Sequence, residues 1–371
     1  MTDADAFLQT ILDDPDDDLP RLIFADWLEE HGDTGRAEFI RAQLERATLP
    51  VGSDRSQQLL GRERTLLRQH GAHWLQPIRQ AMGDPQQPGA VRQLVESALG
   101  RREITSWGWH LENGVEYRRG FVHSLSMTTA ALNAYGEAVV RLAPIEEIIL
   151  DVHYPFTELT FVAPAPLARV RSLTVFGPNL MRPIGELLGV PLPKLRSLCL
   201  AGAITPEELD PAFVLPLTAI ASALHHLELF GGQYIGSRRN VWQSSRFFDY
   251  DLIAALLRLP LDELQSLTLD CGGFGDRAAA LLATNRPWPK LTALRLPRCH
   301  LQNVTAFANS PNFPALAMLD LEDNYINDAS ALALANSPHL PNLALVYLKG
   351  NPLSGVVRDV LRERFGAGLR L

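Results

Sequence analysis

The fold is decided by one stretch of sequence, Leu316-Ala-Met-Leu319-Asp-Leu321-Glu-Asp-Asn324-Tyr-Ile326. Its apolar residues follow the pattern L-x-x-L-x-L, and an Asn three positions later is followed by another apolar residue. The alternation between Leu319 and Leu321 indicates a short strand with one buried face. The Asn stands where this strand ends, so its amide can satisfy backbone N–H and C=O groups that leave the sheet.

The same apolar pattern recurs eight times along the second two-thirds of the chain. It begins at Ile145, Val170, Leu195, Leu224, Leu264, Leu291, Leu316 and Leu343. Successive starts are separated by 25, 25, 29, 40, 27, 25 and 27 residues. Six of these seven intervals fit the leucine-rich repeat, whose period is roughly 20–29 residues. The stretches 291–301 and 343–353 also carry the corner residue, as Cys299 and Asn351.

The other part of each repeat is predicted to be a helix. Asp276 and Asp328 each precede a run rich in Ala and Leu, and they stand where N-cap residues belong. A unit of one strand and one helix resembles the ribonuclease-inhibitor class of leucine-rich repeats. The predicted fold class is therefore α/β: a leucine-rich-repeat solenoid, with parallel strands on its concave side and helices on its convex side, preceded by a small all-α N-terminal domain.

Residues 1–80 have a different pattern, that of several short helices. Thr2 and Asp5 can form a capping box, Pro20 suits the start of a second helix, and Gly32 suits the position after its end. The apolar side of that second helix is predicted to consist of Ile23, Phe24, Trp27 and Leu28. Third and fourth helices are predicted near residues 36–47 and 56–70.

This N-terminal sequence resembles a known bacterial domain. The motifs that carry the resemblance are Phe7-Leu8, Asp14-Pro15-Asp16-Asp17, Pro20-Arg21-Leu22, the run 25–32, the run 36–41, Arg62-Glu63, Leu66-Leu67 and Gly71-x-x-Trp74-Leu75. Together they resemble the repeat-companion domain, which stands at the N-terminus of many paralogous planctomycete and myxobacterial proteins, often ahead of leucine-rich repeats. The resemblance implies a bacterial, intracellular protein coupled to repeats, and it implies no particular biochemical activity.

These patterns predict four parts along the chain. A helical repeat-companion domain covers residues 1–82, and a Pro- and Gly-containing linker covers 83–92. Residues 93–121 form an N-terminal cap of a helix and a β-hairpin, with Asn113-Gly114 as the turn between 107–111 and 115–119. The solenoid covers residues 122–371. It begins with a degenerate strand from about Phe121 and ends with a closing helix at 356–365.

Charge and cysteine content exclude several classes of function. The net charge of −8 is concentrated in residues 1–50, which hold 13 Asp plus Glu against 4 Arg, and this balance disfavours nucleic acid as a partner. The acidic segment is either a solvated face or a docking surface for a basic partner. No apolar run approaches the ~20 residues of a membrane-spanning helix, and three cysteines form no disulfide framework. We therefore expect a cytoplasmic protein with no membrane partner.

No motif in the sequence carries recognisable catalytic chemistry. The acidic loop 13–18 lacks the ligand spacing of a calcium loop, and helix capping explains most of its aspartates. Gly273-x-Gly275-x-x-Ala278 resembles a dinucleotide fingerprint, but the same strand-to-helix corner occurs in every repeat and no suitable acidic residue follows. We expect no catalytic residue, no metal site and no small-molecule cofactor. The cysteines are expected to be buried structural thiols: Cys199, Cys271 and Cys299.

Two surfaces are candidates for binding a protein partner. The first is the concave face of the sheet, where outward positions between the core leucines mix charged and aromatic residues. Its candidate residues are Glu228, Phe230, Asp270, Arg295, Asp320, Glu322 and Tyr347, with Asp151, Thr174, Phe176 and Lys349 also pointing outward. The second is the insertion 233–250, which is rich in residue types that are enriched at binding hot spots. Its candidate residues are Tyr234, Arg238, Arg239, Trp242, Arg246, Phe247, Phe248 and Tyr250.

The leading interpretation is a non-catalytic protein–protein interaction module that binds its partner on the concave face and the inserted loop. One alternative is an activator or regulator of a nucleotide hydrolase, with Arg238, Arg239 or Arg246 reaching the nucleotide pocket of a GTPase. Another is a purely structural scaffold. The face can equally be an ordinary solvated sheet, and the loop can fold back to fill a local gap. The acidic loop 13–18 is a hypothetical second docking surface.

Overall fold

The structure is a computed structural model. It describes residues 2–50, 52–82, 115–151, 167–176, 189–202, 214–231, 233–234, 242–243, 250–271 and 274–371. These residues fall into two compact units. The first unit comprises the described residues up to Asp151 together with 167–170, and the second runs from Arg171 to Leu371.

The first unit begins with five helices. They are α1 (Asp3–Asp13), α2 (Leu19–Glu30), α3 (Thr34–Thr48), α4 (Asp54–Trp74) and α5 (Gln76–Ala81). The predicted capping box is confirmed, because Asp5 N donates to Thr2 Oγ1 at 3.2 Å and Thr2 N donates to Asp5 Oδ2 at 2.7 Å. Pro20 lies in the first turn of α2, and Gly32 follows its end with φ +92°, so both predicted boundaries are also confirmed.

The core side of α2 differs from the prediction in one residue. Ala25 and Leu28 are buried, and Phe24 and Trp27 pack against the same cluster. Ile23, in contrast, is 47% exposed. The buried positions of α2 recur at Arg21, Ala25 and Leu28, a helical spacing that turns Ile23 away from the core.

A β-hairpin packs against these helices within the first unit. It consists of β1 (Val115–Arg118) and β2 (Phe121–Thr128), which pair antiparallel. Phe121 joins the same buried cluster as Ile11 and Ile40. The chain continues from β2 into α6 (Thr129–Val139) and then into β3 (Glu147–Asp151). β3 pairs in parallel with β2. The sequence predicted 115–119 as one strand of a hairpin turning at Asn113-Gly114, and that turn lies outside the described residues.

The described hairpin turns instead at Arg119 and Gly120, whose φ angles are +50° and +86°. Gly120 N donates to Gln43 Oε1 at 2.7 Å, and Gln43 Nε2 donates to the Tyr117 carbonyl at 3.2 Å. A β-carbon at position 120 would stand 2.3 Å from Cγ1 of Ile40. The close approach of the hairpin to α3 therefore requires glycine at position 120.

Replacing Gly120 tests this contact. We expect Gly120→Ala to lower the free energy of unfolding of the first unit by roughly 3 kcal/mol, because the methyl group adds a clash with α3 to the backbone strain. Gly52→Ala is the matched control, since Gly52 has φ +82° but open space around it, and we expect it to lose about 1 kcal/mol. Chemical unfolding monitored by tryptophan fluorescence measures both. Equal losses in the two variants would contradict the close approach.

The second unit is built on one parallel sheet. Its strands are β4 (Ser172–Phe176), β5 (Ser197–Gly202), β6 (His226–Gly231), β9 (Ser266–Cys271), β10 (Ala293–Arg295), β11 (Met318–Asp320), β12 (Leu345–Tyr347) and β13 (Leu369–Arg370). Each pairs in parallel with the next strand of this series. A separate antiparallel pair, β7 (Gln233–Tyr234) and β8 (Trp242–Gln243), lies in the chain between β6 and β9.

Helices alternate with the strands along the second unit. They are α7 (Val214–Ala221), α8 (Tyr250–Leu256), α9 (Gly275–Thr284), α10 (Thr305–Ala308), α11 (Asp328–Ala335) and α12 (Gly355–Phe365). Successive helices from α8 to α12 pack against each other, as successive strands do. The central leucine of each repeat, such as Leu267, Leu294 and Leu319, is almost fully buried. The parallel strands and the stacked helices match the predicted fold class.

The predicted N-cap roles of Asp276 and Asp328 are wrong. Helix α11 is capped by Asn327, whose side chain accepts from Ser330 N. Asp328 Oδ1 instead accepts from Ser354 N at 2.8 Å, in the next repeat. Asp276 Oδ1 likewise accepts from the backbone N–H groups of two residues, 302 and 303, of the following repeat. Both carboxylates therefore join neighbouring repeats, a role that a helix-capping pattern does not indicate.

The corner residues form a ladder of buried hydrogen bonds. Asn324 Oδ1 accepts from Cys299 N at 2.9 Å and from Leu301 N at 3.0 Å. Its Nδ2 donates to Leu296 O at 2.8 Å and to two carbonyls of its own corner. Asn351 repeats this arrangement one repeat later, and Cys299 Sγ lies 3.0 Å from Leu269 O. The predicted role of these side chains is confirmed.

Substitution of Asn324 tests the ladder. We expect Asn324→Ala to lower the free energy of unfolding by roughly 3 kcal/mol or more, because it leaves the N–H groups of Cys299 and Leu301 buried without partners. Asn336→Ala serves as the control, since Asn336 is exposed and its side chain makes one bond, to Leu332 O. We expect that control to change stability by less than about 0.5 kcal/mol. Urea denaturation followed by circular dichroism measures the difference, and similar midpoints for the two variants would refute the role of the ladder.

Candidate functional site

The outward face of the second unit's sheet carries a continuous row of polar side chains. The register of the strands places these residues side by side, one on each of the eight parallel strands of the second unit. We call this set the central row: Thr174, Cys199, Glu228, Thr268, Arg295, Asp320, Tyr347 and Arg370. Four residues predicted for the concave face, Glu228, Arg295, Asp320 and Tyr347, are therefore members of one row.

The remaining predicted face residues lie beside the central row. Phe230 and Asp270 are direct cross-strand neighbours on β6 and β9. Phe230 is half-buried, and Asp270 is only 8% exposed. Glu322 follows β11 at the corner and is half-buried. The sheet thus places Phe230, Asp270 and Glu322 next to the central row.

One ion pair and two further hydrogen bonds hold charged residues of this surface. Arg298 donates from Nε to Asp270 Oδ1 at 3.1 Å and from Nη2 to Oδ2, a bidentate arrangement. Arg295 Nη1 donates to Ser266 Oγ at 2.9 Å. Asp320 Oδ1 accepts from Glu322 N at 3.0 Å, which holds its carboxylate at the corner. These contacts fix the orientation of the charges before any partner arrives.

Burial shifts the protonation equilibria of the row. Desolvation raises the pKa of Glu228 above its ordinary value, and the attraction of Arg295 offsets this only in part. Burial likewise raises the pKa of Asp270 and of Asp320, despite the nearby cations Arg298 and Arg295. Burial also lowers the pKa of Arg295. The row therefore holds charges that are already partly removed from water.

Carboxylates outnumber cations on this surface. The charges of Asp320 and Asp323 raise the pKa of Glu322 beyond the effect of its burial, and Lys349 lowers it only weakly. Asp270 is affected by the same two aspartates. Among the described residues of this surface, five carboxylates, on Glu228, Asp270, Asp320, Glu322 and Asp323, lie with four cations, on Arg295, Arg298, Lys349 and Arg370. The surface therefore has an excess of one carboxylate, a slight acidity that favours a basic partner.

Four residues at this edge of the sheet, Arg298, Asp323, Gly350 and Tyr325, were not predicted from the sequence. Arg298 and Asp323 occupy the same place in consecutive repeats, two residues after the third leucine, with φ +55° and +53°. Gly350 takes that place in the next repeat, with φ +78°. Tyr325 is 57% exposed, and its ring lies 5.7 Å from that of His300. The repeat consensus could have predicted these residues. Its unspecified positions on either side of the corner Asn or Cys are the positions that face solvent.

The inserted segment is described only in part. The register places Tyr234 opposite Trp242 on β7 and β8, and Tyr250 begins α8. β6 and β9 pair directly with each other, so the insertion does not interrupt the sheet. The other predicted loop residues lie outside the described residues: Arg238, Arg239, Arg246, Phe247 and Phe248.

Two of the cysteines and the acidic loop 13–18 have described side-chain environments. Cys299 is fully buried as predicted, but Cys199 is only half-buried because it belongs to the central row. Asp17 Oδ1 accepts from Leu19 N at 2.9 Å, and Arg119 forms ion pairs with Asp16 and Asp18. Within the described ranges, no group of three or more His, Cys, Asp or Glu residues could hold a metal ion. In the same ranges, no helix is long and apolar enough to cross a membrane.

Comparison with known proteins finds distant structural similarity only. Neither protein-family models nor curated proteins match the chain. Solved structures do. By its own parallel strands and stacked helices, the second unit is a leucine-rich-repeat solenoid. An internalin from Listeria monocytogenes is 15% identical, with a TM-score of 0.31, and the match covers 65% of this chain and 69% of that one.

Two further structures are similar to this chain. The yeast Rad7–Elc1 complex matches at 13% identity and a TM-score of 0.38, covering 86% of this chain and 80% of that one. A leucine-rich-repeat protein from Leptospira interrogans matches at 14% identity and a TM-score of 0.32, covering 62% and 67%. None of these matches addresses the repeat-companion resemblance, which stays a prediction.

The raised pKa of Glu228 predicts a pH dependence of stability. The folded state holds this proton more tightly than the unfolded state, so stability falls as pH rises from the ordinary value of 4.5 through the raised pKa. Glu228→Gln removes this loss, and we expect the variant to gain stability relative to wild type between pH 4 and pH 8. Urea midpoints at the two pH values measure the change.

Glu263→Gln is the control for this prediction. Hydrogen bonding to Lys290 lowers the pKa of Glu263, so its contribution is present above pH 4.5 and is lost below it. We expect this variant to lose stability relative to wild type between pH 4 and pH 8. If both variants change in the same direction with pH, burial does not control the protonation of the row.

Proposed function

We propose that this protein is a non-catalytic interaction module that binds a protein partner on the outward face of its repeat sheet. The contact surface is the central row together with Phe230, Asp270 and Glu322. The insertion 233–250 follows β6, the strand that carries Glu228 and Phe230. The partner presents basic side chains to this face. No cofactor is required for such binding.

The observation that carries the proposal is the set of buried or half-buried, oriented charges on an outward sheet face. A solvated face usually keeps its charges in water, where pairs contribute little. Here Glu228, Asp270 and Asp320 are partly desolvated. Asp270 is held by Arg298, and Asp320 accepts from Glu322 N. Glu228 is attracted by Arg295 and hydrogen-bonds to the side chain of Cys199. Binding a cation of the partner here removes less water from the carboxylates than it would at fully exposed ones. The carboxylates are also already oriented, so little conformational entropy is lost.

The insertion supports the same location. The insertion lies in the chain between β6 and β9, which are neighbouring strands. It therefore starts and ends in the middle of the sheet and not at its edge. Insertions in repeat arrays map to loops on one face, often the binding face. Tyr234, Trp242 and Arg239 are of the residue types that dominate binding energy at hot spots. The regulator of a nucleotide hydrolase remains the alternative, because a loop arginine could serve it.

Paired surface variants test the proposal by affinity capture from a lysate of the native cell. We expect wild type to retain a partner that Asp320→Asn/Tyr347→Ala loses by at least about tenfold, since both changes lie at the centre of the row. Asp359→Asn/Val356→Ala is the control, because both residues are exposed on α12 and lie outside the row. Calorimetry with the purified partner then gives the affinities.

The loop is tested in parallel with Arg239→Ala/Trp242→Ala/Phe248→Ala. Loss of the partner in this variant as well assigns the insertion to the interface. Retention of the same partner by the row variant and the α12 control at equal affinity would refute the sheet face as the binding surface. Stimulation of a GTPase by wild type but not by the loop variant would favour the alternative function.

A further inference from the structure

Helix α2 carries an exposed aliphatic stripe. Leu19, Leu22 and Ile23 are 60%, 40% and 47% exposed, and they are three of the five large hydrophobic side chains that are exposed in the described part of the chain. Their spacing of i, i+3 and i+4 places them on one face of the helix. Large apolar side chains gathered on one surface commonly mark an interaction site.

The stripe plays no part in the core of the first unit. The opposite side of α2 makes the buried contacts, through Ala25 and Leu28 with Phe24 and Trp27 beside them. Phe24 stacks on Trp27, with ring centroids 5.9 Å apart, and on Phe121 at 6.0 Å. Because α2 is anchored by that side, folding does not explain why the outer face is aliphatic.

Acidic residues surround the stripe along the chain. Residues 13–30 hold eight carboxylates and one Arg, a net charge of −7. That one cation, Arg21, is buried. Arg119 pairs with Asp16 and Asp18, and Arg41 pairs with Asp26 and Glu29, which leaves an excess of negative charge beside the stripe. Asp17 bonds the first N–H of α2, and Asp26 lies one turn beyond Leu22 and Ile23 on the same face. The aliphatic stripe is therefore bordered by carboxylates at both ends.

The carboxylates at the end of α2 oppose the stability of the helix. Asp26, Glu29 and Glu30 lie in its second half, where the helix dipole favours cations, and the last turn contains no basic residue. Arg41 of α3 is shared between two of them, at 2.6 Å from Asp26 and 2.7 Å from Glu29. A charge arrangement that is locally unfavourable is often retained at a functional surface.

Charge complementarity selects the occupant of this surface. A second copy of the chain would bring α2 against α2 and place like charges together, and anionic lipid would be repelled. We propose that the stripe docks a basic amphipathic helix of another protein, whose aliphatic residues cover Leu19, Leu22 and Ile23 and whose Lys or Arg residues face the carboxylates on either side. This surface is separate from the sheet face of the proposed function.

A designed peptide tests the proposal with the full chain. The probe is a fluorescein-labelled helical peptide of leucine, lysine and alanine, with Leu at i, i+3, i+4 and i+7 and Lys on its flanks. We expect it to bind wild type and to raise the amide protection of residues 19–23 in hydrogen exchange. Leu22→Ser/Ile23→Ser should weaken binding about tenfold, because it removes the apolar contact while touching only exposed side chains.

Matched controls separate docking from nonspecific attraction. Val356→Ser removes a side chain that is 76% exposed on α12 and should leave peptide affinity unchanged. The peptide with Glu in place of Lys should not bind, and raised salt should weaken the Lys peptide. Asp320→Asn should bind normally, which distinguishes this surface from the sheet face. Equal weakening by Val356→Ser and by the α2 variant, or binding of the Glu peptide, would overturn the proposal.

Discussion

The second unit depends on satisfying the backbone groups at the corners where the chain leaves the parallel sheet. These N–H and C=O groups are buried, and an unpaired one is as unfavourable as a lost hydrogen bond. Asn324 and Asn351 meet this requirement with both ends of their amides, reaching their own corner and the preceding one. Because the corners are closed by side chains in this way, strands of only three residues suffice to form β10, β11 and β12.

Short strands determine the composition of the outward face. In β10 to β12 the central residue faces the core, as Leu294, Leu319 and Val346 do, and only its two neighbours are left to face outward. Stacking of repeats then sets these neighbours side by side in rows. The charge pattern of the face is therefore a property of the array: Glu228 and Arg295 interact although 67 positions separate them in the chain.

Much of this architecture could be predicted, and the misses have physical reasons. Leucine spacing identified the strands because burial imposes the same period in every repeat. Asp276 and Asp328 were misassigned because the local pattern of a cap does not reveal a neighbouring repeat whose N–H groups compete for the same carboxylate. Ile23 was placed in the core because the run 22–25 is apolar on all sides, so that only packing decides which side is buried. The face residues were foreseeable as positions, whereas their pairing with Arg298 required the fold.

The asparagine ladder also gives the array a direction. Each Asn side chain accepts from amides of the repeat before it, so Cys299 and Leu301 are protected by Asn324, and Ile326 by Asn351. Opening from the C-terminal end therefore exposes Ile326 to solvent exchange before Cys299. Opening from the N-terminal end instead unfolds the repeat that contains Cys299 and Leu301 first, while Asn324 and Asn351 are still in place. The order in which amides lose protection thus reports the end from which the array unravels.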